Sequence, residues 1–133
     1  MTNVVYENKR MLEVVNESDE VIDSKPRSEI HRLGLLHREI HVWMFDENHN
    51  IIFQKRGLHS QSAGLLDATV GGHANAGEDY IDTAVREVKE ETGMTISPSD
   101  LALLTKFREK SSLVKEDYLG TVNNFIRVVY IYK

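Results

Sequence analysis

The chain has 133 residues, 41% hydrophobic and 28% charged, with a formal net charge of −5 and no cysteine. That length fits a single domain over residues 1–133 with a real core, in the composition range of ordinary globular proteins. The acidic balance argues against a nucleic-acid polymer as partner, and the absent thiols exclude a disulfide framework and a cysteine nucleophile. No apolar run reaches the length of a membrane span, and the first ten residues lack the apolar core of a leader, so no membrane partner and a cytoplasmic location are expected.

In chain order, residues 11–15 and 21–22 are β-like runs around the polar turn Asn16-Glu-Ser-Asp-Glu20, which reads as a hairpin within an N-terminal extension over 1–28. Lys25-Pro26-Arg27 breaks the pattern. Residues 41–45 and 51–54 read as two strands joined by the turn Asp46-Glu-Asn-His-Asn50, and 65–70 as a third leading into Gly71-Gly72. Trp43, Phe45 and Phe53 read as core residues of these strands. Ile81, Ala84, Val85 and Val88 then recur at i, i+3, i+4 and i+7, which predicts an amphipathic helix over 80–92. Asp79 is its expected N-cap, with Asp82 three residues on, and Gly93 its expected left-handed stop. Residues 101–107 and 125–132 are β-rich and close the chain. Strands around one strong helix imply an α/β class, a sandwich with a mixed sheet.

The other face of that helix carries Glu87, Glu90 and Glu91 at i, i+3 and i+4, so three carboxylates converge within one turn. Like charges at this spacing repel, and Arg86, one turn before Glu90, relieves only part of it. Taken alone, the three glutamates read as a solvated acidic face. With Gly72, Glu78, Arg86 and Gly93 at fixed offsets, they read as a cage for Mg²⁺ or Mn²⁺, hard cations that take carboxylate oxygens and hold substrate phosphates.

The stretch from Gly72 to Met94 resembles the Nudix box, G-x5-E-x7-R-E-U-x-E-E-x-G-U with U apolar. Gly72, Glu78, Arg86, Glu87, Val88, Glu90, Glu91, Gly93 and Met94 match every defined position. The resemblance implies an α/β/α sandwich and a hydrolase acting on phosphoanhydride bonds, with Mg²⁺ or Mn²⁺ as cofactor. Its expected substrate is a small diphosphate: a nucleoside diphosphate, or one linked to another group. It gives Glu87, Glu90 and Glu91 as metal ligands, one of them or a glutamate elsewhere as base. It gives Glu78 as support for the metal site, Arg86 as the orienter of a catalytic glutamate, and the Gly72 carbonyl as a further metal ligand. Glu109, Glu116 and Asp117 are candidates for one more acid outside the box. For substrate phosphate, Lys55, Arg56 and His73 are candidates, then Lys106 and Arg108; for the cations the alternative is a solvated surface charge.

Nudix domains generally carry a second helix after the last strand, and none is readable after Phe125-Ile-Arg-Val-Val-Tyr-Ile-Tyr132. The expectation is a truncated chain or a sheet face covered by a second copy in a homodimer.

Upstream, residues 26–43 and the segment Asp67-Ala-Thr-Val-Gly71-Gly72-His73 resemble the isopentenyl-diphosphate isomerase-like branch of Nudix proteins. That likeness implies a second metal site on His31, His37 and His73, against a reading in which these histidines cap or hydrogen-bond locally. An isomerase reading meets two obstacles. Gly71 stands where the branch has its catalytic cysteine, and Asn123-Asn124-Phe125 stands where it has its catalytic glutamate. Allylic isomerisation needs a proton donor and an acceptor on opposite faces of the alkene. The intact Arg-Glu…Glu-Glu set therefore favours hydrolysis.

Overall fold

A computed structural model describes residues 9–55, 66–113 and 121–133. β1 (Met11–Val15) and β2 (Val21–Pro26) form the expected antiparallel hairpin. Its turn is built by Asn16, whose Oδ1 accepts the amides of Ser18 and Glu20 at 2.9 and 3.0 Å. Where the sequence reads only a break, a short helix α1 (Arg27–Leu33) follows at once; it has no side-chain cap and ends on Gly34 at φ 67°.

β3 (His37–Phe45) begins at His37, not at residue 41. The run expected at 51–54 splits into β4 (Ile51–Ile52) and β5 (Gln54–Lys55). The strand expected at 65–70 becomes β6 (Leu66–Asp67) and β7 (Val70–His73), so Gly71 and Gly72 lie inside a strand. The helix α2 (Tyr80–Thr92) has its predicted ends: the Asp79 carboxylate accepts from the Asp82 amide at 2.9 Å, and Gly93 stops it at φ 80°. A single 3₁₀ turn (Pro98–Asp100) leads to β8 (Leu101–Leu113) and β9 (Thr121–Tyr132).

β3 organises the mixed sheet. β9 runs parallel along one edge of it, from His37↔Phe125 to Trp43↔Ile131, and β8 pairs antiparallel on β9. The other edge is shared by β1, β7 and β4, all antiparallel. Alternation along β3 then sends side chains to two different layers. Ile40, Val42 and Met44 pack with Val128, Tyr130, Val70, Ala84 and Val88 under α2. His37 and Glu39 point to the other face, where α1 brings His31 and where Ile30 packs on Leu12 and Val14. Helix, sheet and helix thus make the α/β/α sandwich, with α1 supplying the second outer layer. Among the described residues no helix is long and apolar enough to cross a membrane.

Phe45 and Phe53 are not core residues, contrary to expectation, and Trp43 is only half-buried. Phe45 and Phe53 are 40% and 51% exposed, and half-buried Trp43 meets Phe53 edge-on at 5.7 Å. Trp43 and Phe45 lie at the end of β3, and Phe53 lies between the two-residue strands β4 and β5.

Candidate active site

Strand β7 and helix α2 lie against each other, and the acidic box is built at their contact. Gly72 faces the helix: a Cβ placed there would lie 2.3 Å from Glu87 Cδ, so the space a side chain would take is filled by the Glu87 carboxylate. Glu87 is 6% exposed, and the Glu91 carboxylate accepts the Gly71 amide at 3.2 Å.

Arg86 ties the acids together. Its Nε and Nη2 donate to Glu78 Oε2 and Oε1 at 2.7 and 2.9 Å, a bidentate fork. Its Nη1 donates to Glu87 Oε1 at 2.8 Å and Glu90 Oε2 at 3.1 Å, and Nη2 also reaches the His73 carbonyl at 3.0 Å. One guanidinium therefore holds three carboxylates and the end of β7. Burial would raise the Glu78 carboxyl, but hydrogen bonds from Arg86, Thr83 and the Asn75 amide outweigh it and hold it below its ordinary range.

Glu87 and Glu91 go the other way. Burial, and Glu90 nearby, push Glu87 up against the pull of Arg86. Enclosure of its carboxyl end, with Glu87 beside it, pushes Glu91 up to about 8. As anions Glu87 and Glu91 repel each other, a cost that a proton or a bound cation relieves. The donor set, oxygen only and anionic, fits a hard divalent ion.

On the other face of the same strand, His31, His37 and His73 bring ligand nitrogens within 4.8 Å of one another. His37 Nδ1 lies 3.0 Å from the Leu35 carbonyl, an acceptor, so that nitrogen carries the hydrogen. Its Nε2, on a side chain with no exposure, has no hydrogen-bond partner and lies 3.4 Å from Glu39 Oε2. His73 Nε2 is 3.3 Å from the same oxygen, while Arg127 holds Glu39 Oε1 at 2.6 Å. Burial, then the charge of His73, pushes His31 down to about 3, and burial pushes His73 down to about 4. Three converging imidazoles, with a buried carboxylate among them, suit a borderline transition metal more than Mg²⁺.

Several residues have places that the sequence does not disclose. Glu39 and Arg127 complete the histidine cluster, and Arg10 donates to the His73 carbonyl at 3.1 Å. Gln54 hydrogen-bonds Glu91. Their partners are remote in sequence, so no local spacing marks them. Lys55, a phosphate candidate, is exposed on β5, next in sequence to Gln54. Lys106 and Arg108 are engaged elsewhere: they donate to Asp19 and Glu17 in the hairpin turn at 2.7 and 3.0 Å. Glu109 is exposed on β8 opposite Phe125. Arg56, Glu116 and Asp117 lie outside the described residues.

The family model of the NUDIX domain matches residues 35–132. An uncharacterized Nudix hydrolase from Clostridium acetobutylicum is 31% identical over 111 residues, covering 80% of this chain and 53% of that protein. An isopentenyl-diphosphate Delta-isomerase from Serratia proteamaculans is 31% identical over 96 residues, covering 71% and 54%. The chain spans about half the length of these curated relatives. Among solved structures, DR0079 from Deinococcus radiodurans superposes with a TM-score of 0.69 at 22% identity, over 92% of this chain and 70% of that one. A MutT protein from Methanosarcina mazei gives 0.54 at 21% identity, over 74% and 63%; both likenesses concern the fold.

Proposed function

Because this chain belongs to the Nudix family, we propose that it is a divalent-metal-dependent hydrolase of a nucleoside diphosphate, or of a nucleoside diphosphate linked to another group. The observation that carries this reading is the set of carboxylates that Arg86 gathers beside Gly72, which offers a cation only oxygen donors. Glu87, Glu90 and Glu91 are the ligands, with Glu78 in support and the Gly72 carbonyl as a further donor. A bound Mg²⁺ or Mn²⁺ would offset the diphosphate charge and acidify a water molecule. Arg86 keeps Glu87 and Glu90 aimed by its two bonds from Nη1. A box carboxylate would accept the proton of the attacking water, leaving a nucleoside monophosphate and either phosphate, from a nucleoside diphosphate, or the phosphorylated partner group, from a linked one. Lys55 and Arg56 are the proposed contacts to substrate phosphate, while the ring of His73, the third candidate, faces the histidine cluster.

The test is a panel of nucleoside diphosphates, nucleoside triphosphates and nucleotide sugars, each with Mg²⁺ or Mn²⁺, in ¹⁸O-labelled water. Metal-dependent cleavage of at least one compound is expected, and the label identifies the phosphorus attacked. A panel without turnover would leave the reading without support.

A second reading concerns the histidines. The unpartnered His37 Nε2 facing Glu39 favours a transition metal on His31, His37 and His73. Metal analysis of the Glu90→Gln, Glu91→Gln double variant should still find tightly bound transition metal; losing all of it removes this site. The isomerase alternative is disfavoured, since Gly71 offers no thiol and its face is closed by His41, 3.1 Å from where a Cβ would stand. An assay for allylic product should be negative.

A further inference from the structure

The segment before the family match runs alongside the start of the box. Met11 accepts the Ala76 amide at 3.0 Å, Leu12 bridges to Asn75, and Glu13 accepts the Gly77 amide. The Arg27 amide donates to the Arg10 carbonyl at 2.8 Å. The backbone of this segment is therefore already anchored without the Arg10 side chain.

That side chain goes further. Arg10 Nη2 donates to the His73 carbonyl, which also accepts from Arg86 Nη2, at 3.1 and 3.0 Å. Two guanidinium groups on one oxygen repel each other, and such a meeting persists only where neighbouring anions offset it. The box supplies those anions, and the Arg10 charge is felt at Glu87. The oxygen they share belongs to the residue whose ring joins His31 and His37 and whose preceding neighbour, Gly72, lies against Glu87.

We infer that Arg10, supplied from outside the matched domain at residues 35–132, is a positioning residue for the acidic box: with Arg86 it clamps the His73 backbone and so fixes the distance between Gly72 and Glu87. The role rests on the hydrolase reading of the box. Arg10 does not touch the reacting atoms. It sets where the ligand carboxylate stands.

Mn²⁺ alone is the probe, titrated by electron paramagnetic resonance into the wild type, Arg10→Lys and Arg10→Gln, with folding checked by thermal melting. The Glu90→Gln, Glu91→Gln variant defines which binding belongs to the box. Lysine keeps the charge but not the planar fork. A positioning role therefore predicts Mn²⁺ binding weakened about 10-fold in Arg10→Lys, the scale on which outer partners of metal ligands act. Binding within about twofold of wild type in Arg10→Lys overturns the inference. So does tighter binding in Arg10→Gln, which would make Arg10 a mere competing charge; that variant also decides the matter if Arg10→Lys does not fold, weaker binding then supporting the clamp. Wild-type binding that does not depend on Glu90 and Glu91 sinks the box reading itself. Box-dependent binding untouched by Arg10 sinks only this inference.

Discussion

Gly72 is where sequence and chemistry meet most tightly. Its missing side chain is the space that Glu87 occupies. The atoms a new methyl group would strike are the far end of a flexible side chain, so the clash is relieved by moving Glu87 and not the strand. Gly72→Ala should therefore keep its melting temperature within a few degrees, while turnover falls on the order of 100-fold, the cost of misplacing a catalytic group by about 1 Å. Comparing melting curves and rates side by side checks it; full activity would mean that Glu87 has no role. Glu91 gives a pH prediction. Its folded value is raised to about 8, so the metal-free folded state favours the protonated form. Raising the pH through the ordinary carboxylate range toward 8 then removes stability from the metal-free protein. A metal ion requires the ionised form, so Mn²⁺ affinity should rise with pH and level off above about 8. An affinity flat from pH 6 to 9 would contradict a raised Glu91 carboxyl.

Helix α2 was legible because it announces itself locally. Asp79 caps it, the Ile81–Ala84–Val85–Val88 stripe matches a helical period, and Gly93 ends it in the left-handed region. Replacing Asp79 by Ala should cost about 1 kcal/mol, the usual worth of such a cap. Denaturant melts would show it, and an unchanged midpoint would mean that the cap bond adds nothing. Helix α1 was not legible: seven residues without a side-chain cap, starting after Pro26 and burying only Ile30 and His31, give no period to read. The start of β3 has no sequence signature because His37 and Glu39 are polar residues that the fold buries. Their burial has its reason across the sheet, in His73, His31 and Arg127. Gly71 and Gly72 lie inside β7 and not after it, because there they make room for His41 and Glu87.

At the scale of the whole molecule, the sandwich puts two ligand sets on the two faces of one strand. Toward α2 stand the oxygen donors Glu87, Glu90 and Glu91; toward α1 stand the nitrogen donors His31, His37 and His73. Their common backbone at Gly72 and His73 is held by Arg86 from the box and by Arg10 from the N-terminal segment. The acidic set could be read from spacing, since one helix carries all of it. The histidine set could be read only through resemblance, because α1, β3 and β7 bring it together from three places in the chain. Both rest on the mixed sheet, whose parallel β3–β9 pair sets Arg127 beside Glu39.

The most direct measurement compares metal-dependent turnover of the best compound in the nucleotide panel by the wild type and by Glu90→Gln and Glu91→Gln, all at saturating Mg²⁺ and with folding verified by circular dichroism. Losses on the order of 100-fold or more in at least one variant are expected if these carboxylates hold the ion or take the proton. Rates equal to wild type in both folded variants would contradict the account.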